Sequence, residues 1–105
     1  MIFRGAIYEI RPLAGRGHEQ RGKRYCVVIQ SDRFACSTVT VAMTSTSAGE
    51  AVYRPECELL GAKTRILTDQ IQSLDPSRFG DFKGALEPDE LADLDRALII
   101  KLSLV

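Results

Sequence analysis

The first residues of the chain alternate between apolar and polar side chains. Over residues 2–10, Ala6, Tyr8 and Ile10 fall on one side of an extended chain. A period of two residues is typical of a β-strand that buries one face. Pro12 follows closely, and proline cannot donate to a strand ladder. We therefore predict a first strand over residues 2–10.

Two segments farther along the chain predict strands of different kinds. Residues 25–29 are apolar on both faces, as expected of a strand deep in a sheet or barrel. Residues 38–44 alternate instead, with Val39, Val41 and Met43 on one face and mostly threonine hydroxyls on the other. A turn over residues 31–37 joins the two. The hydroxyl-rich face is a candidate place for polar chemistry.

The second half of the chain predicts two more strands and a helix. Residues 53–60, interrupted by Pro55, indicate an edge strand, and residues 64–74 indicate another strand. Residues 75–78 favour a short helical turn, and Glu87-Pro88 opens a long helix. The apolar stripe of that helix consists of Leu91, Leu94, Leu98, Leu102 and Val105. The chain is thus mainly β with helices (α+β), a small antiparallel barrel or sheet with a C-terminal amphipathic helix.

Length and composition bound the remaining possibilities. The chain has 105 residues, 45% of them hydrophobic and 27% charged, which suits one domain over residues 1–105. Fourteen basic residues balance 14 acidic ones, so the total charge indicates neither nucleic acid nor membrane. No apolar run approaches the ~18 residues of a membrane span, and the start lacks a signal-peptide core. We expect a cytoplasmic protein without a membrane partner.

The three cysteines do not form a recognisable ligand or disulfide pattern. Cys26, Cys36 and Cys57 are spaced by 10 and 21 residues, and the chain has one histidine. A tetrahedral zinc site would need all four groups to converge. We therefore expect no metal and no cofactor, and we interpret the cysteines as small buried apolar residues.

Positive charge is concentrated near the start of the chain. Residues 1–33 carry a net charge of +4 and the remainder −4. The densest segment, residues 15–24, holds three glycines, four cations and one carboxylate without an aliphatic side chain. It must be a surface loop. Such a loop either binds phosphates or is merely solvated, and the composition leaves both readings open.

A register argument brings one residue of this segment next to a hydroxyl group. If residues 24–30 and 38–44 form an antiparallel hairpin centred on Phe34, Arg24 lies directly opposite Thr44. Such pairs have Cβ atoms roughly 4.5–5.5 Å apart, although a bulge would shift the register by one residue. Arginine grips phosphates bidentately and stabilises developing charge, and a threonine hydroxyl can donate to a phosphate oxygen. A purely structural cross-strand bond is the alternative.

Five segments in order resemble one known family. They are residues 4–8, 17–24, 27–32, 41–45 and 68–75, and together they span nearly the whole chain. The sequence resembles the MazF/PemK family of toxin endoribonucleases. The resemblance implies an SH3-like barrel with added helices, assembled as a homodimer. It also implies a cognate antitoxin protein that binds across the dimer and blocks the RNA channel.

The resemblance implies a ribonuclease that works without metal. Members cleave single-stranded RNA at short sequences, using the 2′-hydroxyl of the RNA and leaving a 2′,3′-cyclic phosphate and a 5′-hydroxyl. The catalytic arginine and threonine of the family correspond to Arg24 and Thr44, and the motif glutamate corresponds to Glu19. Tyr25 stands where the family commonly has proline, and His18 where many members have a small residue.

Further side chains are candidates for RNA contact. These candidates are Arg16, His18, Gln20, Arg21, Lys23 and Phe34. Solvated loop positions are the alternative for those in the basic loop, and a cap on the core or a dimer contact is the alternative for Phe34. Gln70 follows a family motif, but we expect a buried structural amide there.

Two other functions are compatible with the same fold. One is a non-enzymatic poison of gyrase, like the related CcdB-type toxins, and the other is an inactive toxin homologue that acts as a binding module. Arg24 and Thr44 at positions that match the family favour the ribonuclease over the gyrase poison, whereas the sequence alone barely argues against an inactive homologue. A cyclic phosphate at the ends of cleaved RNA would indicate the enzyme, whereas intact RNA with damaged DNA would indicate the gyrase poison.

Overall fold

The computed structural model describes residues 2–12 and 23–104 and contains an antiparallel sheet with a helix. The strands are β1 (Ala6–Ile10), β2 (Arg24–Val28), β3 (Val39–Ser45), β4 (Glu56–Leu59), β5 (Ala62–Leu74) and β6 (Phe79–Ala85), and the helix is α1 (Pro88–Leu102). In the sheet the strands follow the order β4-β5-β3-β2-β1-β6. The sheet curls into a nearly closed barrel, which confirms the predicted mainly β fold with a C-terminal helix.

The central strands bury both of their faces. Cys26 and Met43 point into a cluster inside the barrel, whereas Val27 and Ala42 point into a second cluster that includes Leu94 of α1. All five are at most 2% exposed. This arrangement explains why β2 is apolar on both faces, and it confirms the prediction of a strand deep in the sheet.

Helix α1 begins and ends at strong local signals. Pro88 occupies its first turn, and Glu87 and Glu90 form a reciprocal capping box. The helix ends at Ser103, which adopts a left-handed conformation with φ of 57°. Leu102 is 49% exposed, so the predicted apolar stripe leaves the core before the last turn. Among the described residues, no helix combines the length and the hydropathy needed to cross a bilayer.

The β4–β5 hairpin forms one edge of the sheet, as predicted for residues 53–60. Leu60 and Gly61 make its tight turn, both with positive φ, which is the conformation that two-residue hairpin turns require. On the outer side of β4, the backbone N–H of Glu58 donates to the carboxylate of Glu90 at 2.8 Å. This bond ties the edge strand to α1 and satisfies an edge donor that would otherwise be open.

Strand β6 was not predicted from the sequence. It contains Gly80 and Gly84, and its Phe82 is 52% exposed, so it lacks a clean apolar alternation. Gly80 is nevertheless required for close approach, because a Cβ there would lie 3.2 Å from the carbonyl oxygen of Glu9 on β1. The same feature that lets β6 pack against β1 weakens its sequence signal.

The cysteines follow the prediction in two cases out of three. Cys26 and Cys57 are buried, and loss of solvation raises the pKa of each thiol to about 12. Both therefore behave as small apolar side chains at neutral pH. Cys36 is exposed, so the prediction that it is buried is wrong. It lies in the loop between β2 and β3, where no core forms around it.

The contact between α1 and the sheet can be tested with one leucine. Leu94 is fully buried between them, so we expect Leu94→Ala to lower the free energy of unfolding by about 2–5 kcal/mol. Leu102→Ala is the matched control and should change it by about 0.5 kcal/mol or less, because that side chain is half exposed. Urea unfolding at fixed protein concentration measures both. Equal losses in the two variants would contradict this packing.

Candidate active site

A cleft of about 480 Å³ opens where β2 begins and β3 ends. Its polar lining is rich in hydroxyl groups and in cations. The lining residues that matter below are Lys23, Arg24, Thr44, Ser45, Ser47 and Gln70. The site therefore collects side chains from strand ends, where the sheet no longer buries both faces. A guanidinium beside several hydroxyl groups is suited to hold a phosphate.

The observed register differs by one residue from the predicted one. Cys26 pairs with Met43 and Val28 with Val41, so continuation of the ladder places Thr44 opposite Tyr25. The prediction that Arg24 lies directly opposite Thr44 is therefore wrong, although both residues line the same cleft.

At the other end of this hairpin, a side chain takes part in the pairing of the two strands. The side-chain oxygen of Gln30 accepts a hydrogen bond from the backbone N–H of Thr40 at 3.1 Å. The carbonyl of Thr40 in turn accepts from the backbone N–H groups of both Ile29 and Gln30. The side-chain oxygen of Gln30 thus takes the place of a backbone acceptor between the two strands. In the observed register the loop is not centred on Phe34.

Thr44 is fixed at the edge of the cleft by a bond to the neighbouring strand. Its hydroxyl donates to the carbonyl of Tyr25 at 3.2 Å, and the side chain is partly buried. The bond sets the direction of the hydroxyl and links β2 to β3. A phosphate oxygen in the cleft would compete with the Tyr25 carbonyl for this proton.

The two cations at the start of β2 have different surroundings. Lys23 forms an ion pair with Glu9 of β1 at 3.3 Å, and this contact raises the pKa of the lysine. Within the described residues, Arg24 forms no ion pair. Arg24 is exposed, so its guanidinium is the free cation of the pair. Lys23 still lines the cleft, but Glu9 partly neutralises its charge.

Gln70 enters the cleft because β5 bulges there. Ala42 pairs with Ile71, and the next residue of β3, Met43, pairs with Leu67. Three residues of β5 therefore lie between partners of adjacent residues, which is an enlarged β-bulge. Gln70 is exposed and lines the cleft, so the prediction of a buried structural amide is wrong.

Side-chain contacts hold this bulge in place. Asp69 accepts two hydrogen bonds from Arg54, at 3.2 and 2.8 Å, and the guanidinium lowers the pKa of that carboxyl. The buried Thr68 donates to the carbonyl of Tyr53. The polar run Thr68–Gln70 inside an otherwise apolar strand is the sequence signal that could have indicated the bulge.

Most of the other predicted residues belong to the segment 15–22 of the sequence. Glu19, predicted to be catalytic, and the predicted RNA contacts Arg16, His18, Gln20 and Arg21 lie outside the described residues.

Phe34 lies apart from the cleft. Its side chain is 66% exposed and borders a different cavity, together with Phe3 and Cys36. The structure therefore does not bring it together with Arg24 in one site.

Sequence reasoning missed Ser45 and Ser47, which also line the cleft. The hydroxyl oxygen of Ser45 accepts from the backbone N–H groups of Ser47 and Ala48, so it shapes the turn that follows β3. Within residues 2–12 and 23–104, no three His, Cys, Asp or Glu side chains converge as metal ligands. The described chemistry of the cleft is thus guanidinium, ammonium, hydroxyl and amide.

Comparison with known proteins assigns the chain to a family. Residues 3–102 match the family of PemK-like, MazF-like toxins of type II toxin-antitoxin systems. The chain is 46% identical to a protein of Mycobacterium tuberculosis named as a putative toxin, over 99% of this chain and 100% of that protein.

Solved structures share the fold. An endoribonuclease in complex with its cognate antitoxin, from a mycobacterial species, superposes with a TM-score of 0.82 at 17% identity, over 100% of this chain and 98% of that one. MazF from Deinococcus radiodurans gives a TM-score of 0.75 at 22% identity, over 97% and 96% of the two chains. The family match over nearly the whole length, together with this shared architecture, shows that the chain belongs to the PemK-like, MazF-like toxins of type II toxin-antitoxin systems.

Proposed function

We propose that this toxin is an endoribonuclease that cleaves single-stranded RNA in the cleft between β2 and β3. The observation that carries the proposal is that Arg24, which forms no ion pair with any described residue, and the oriented hydroxyl of Thr44 line one cleft. Membership of the toxin family supports it, as does the shared fold with a protein named as an endoribonuclease.

The proposed reaction uses the 2′-hydroxyl of the RNA as the nucleophile and needs no metal. Its oxygen attacks the adjacent phosphorus, a bond to the 2′ oxygen forms, and the bond from phosphorus to the 5′ oxygen breaks. The products are a 2′,3′-cyclic phosphate and, after the leaving oxygen takes a proton from water, a 5′-hydroxyl. Glu19 accepts the proton of the attacking hydroxyl in this scheme.

Arg24 and Thr44 have distinct roles in the proposal. The crowded phosphorus of the transition state carries more negative charge on its oxygens than the substrate does, and the guanidinium of Arg24 stabilises that charge. Thr44 donates to one phosphate oxygen and orients it, giving up its bond to the Tyr25 carbonyl. Both residues line one cleft, which supports contact of one phosphate with the two groups.

We also propose a homodimer whose cleft is covered by a cognate antitoxin. Two structures with the same fold support an antitoxin partner, since one is an endoribonuclease with its cognate antitoxin and the other a MazE–MazF complex from Deinococcus radiodurans. Because cellular RNA is the proposed substrate, the proposed site of action is the cytoplasm.

Removal of the guanidinium tests the central claim. We expect Arg24→Gln to lower kcat/KM for single-stranded RNA by about 10²–10³-fold, as for loss of a charge-stabilising group. Cleavage by the unmodified protein should persist in excess chelator and leave cyclic phosphate ends. Arg33→Gln is the control, because it removes an exposed arginine that does not line the cleft.

Three results would contradict the proposal. Cleavage restored only by added metal would exclude the metal-free mechanism. Intact RNA with damaged DNA would indicate a gyrase poison instead. Intact RNA and intact DNA under conditions that inhibit growth would indicate a binding module.

Two substitutions of Thr44 separate the effect of its hydroxyl group from the effect of its size. Thr44→Ser keeps the donor and should retain kcat within about threefold, whereas Thr44→Val keeps the shape and should lose about tenfold or more. Single-turnover cleavage measures the step directly. Equal loss in both variants would mean that Thr44 acts through packing alone.

The bulge that presents Gln70 gives a separate prediction. Asp69→Asn removes the charge that holds Arg54, so we expect the bulge to loosen and KM for RNA to rise about threefold or more, with kcat nearly unchanged. Asp93→Asn, which breaks the exposed pair with Arg96, is the control. An unchanged KM in Asp69→Asn would show that the bulge does not depend on this ion pair.

A further inference from the structure

Arg24 borders a second, smaller cavity on the side away from Thr44. This cavity measures about 70 Å³ and lies at the end of the barrel interior. Three arginines line it, Arg11, Arg24 and Arg78, together with Gln72. Its remaining lining is Ile10, Pro12 and Met43. Among the described residues, no carboxylate lines this arginine pocket.

Backbone pairing brings the three arginines together although they are far apart in sequence. Ile10 of β1 pairs with Arg24 on one side and with Phe79 of β6 on the other. The backbone N–H of Arg11 donates to the carbonyl of Arg78 at 2.8 Å. The Nε of Arg78 in turn donates to the carbonyl of Arg11 at 2.9 Å. The reciprocal bonds fix both residues beside the start of β2.

The charges in the arginine pocket are not balanced by the rest of the described chain. Arg4, Arg54, Arg65 and Arg96 each form an ion pair with a carboxylate. Between residues 2–12 and 23–104, Arg11, Arg24 and Arg78 form none. Like charges in a small concave region create a positive potential that an anion relieves. Planar guanidinium groups match the oxygens of a phosphate.

We propose that the arginine pocket is a second phosphate subsite, which holds the phosphodiester next to the one being cleaved. The inference rests on the proposed function, because Arg24 belongs to both cavities and would lie between two successive phosphates of one RNA strand. The pocket is too small for a nucleobase, and its described lining contains no aromatic side chain for stacking. It therefore contributes affinity and register along the strand but no base specificity.

Arg11→Gln is the most informative variant. The bonds between Arg11 and Arg78 use the backbone of Arg11, so the substitution removes one charge and keeps the framework. The probe is a short RNA with 2′-O-methyl groups, which binds without being cleaved. We expect its affinity to fall about three- to tenfold at low salt, and the slope of log K against log salt to become shallower by about 0.7. Arg33→Gln is the control for loss of an exposed charge elsewhere.

A second comparison identifies the phosphate itself. Single phosphates of the probe are replaced one at a time by uncharged methylphosphonates. In the unmodified protein, one replacement beside the cleaved position should weaken binding about three- to tenfold, and in Arg11→Gln the same replacement should have no effect. Arg78→Lys should give an intermediate loss, because it keeps the charge but loses both the fork and the Nε bond to the Arg11 carbonyl.

The outcomes separate this inference from the proposed function, because binding is measured without cleavage. Loss of the methylphosphonate effect in Arg11→Gln supports the subsite even if the protein does not cut RNA. The same methylphosphonate penalties in Arg11→Gln and the unmodified protein overturn it, even if cleavage occurs. An effect of Arg33→Gln as large as that of Arg11→Gln also overturns it. The inference is also overturned if Arg11→Gln loses binding to an acidic antitoxin peptide while its affinity for RNA is unchanged.

Discussion

Burial of both faces of β2 and β3 determines where this protein can place polar chemistry. Val27 and Ala42 face α1, whereas Cys26 and Met43 face the barrel interior. A charge in the middle of either strand would lose its hydration without gaining a partner, which costs several kcal/mol. Polar groups can therefore stand only where the strands start or end. Arg24 is the first residue of β2, and Thr44 is the second-last residue of β3, so the cleft follows from the core.

Gln70 is also a polar residue of the cleft, but it lies there for a different reason. Gln70 lies within β5, a strand of 13 residues, and a regular ladder would give it no special position. Three extra residues of β5 change the local direction of the chain. The hydrogen bonds of Thr68 and Asp69 to the loop that precedes β4 stabilise this bulge. Here the sheet departs from regular pairing at the edge of the candidate site. Bulges elsewhere serve the same purpose of re-aiming a side chain.

The sequence predicts the central strands and the helix, but not the features that depend on how the strands pair. Two-sided apolarity predicts β2, and Pro88 with its flanking acids predicts the start of α1, because each signal is local. The register of β2 and β3 differs by one residue from the predicted one, because loop length alone does not determine which residues pair. Strand β6 escapes prediction because Gly80, which its packing requires, is a poor strand former.

The same limit applies to charge, and it explains how a chain with no net charge can still bring several arginines together in one place. Lys23 is adjacent to Arg24 in sequence, yet Glu9 partly neutralises it. Arg11 and Arg78 are distant in sequence and are brought beside Arg24 by pairing of β1 with β2 and β6. The electrostatic potential at a surface depends on which charges lie together without a partner of opposite sign. Composition and spacing in the sequence therefore predict it poorly. The fold converts scattered arginines into one local positive surface, and the acidic remainder of the chain keeps positive charge low elsewhere.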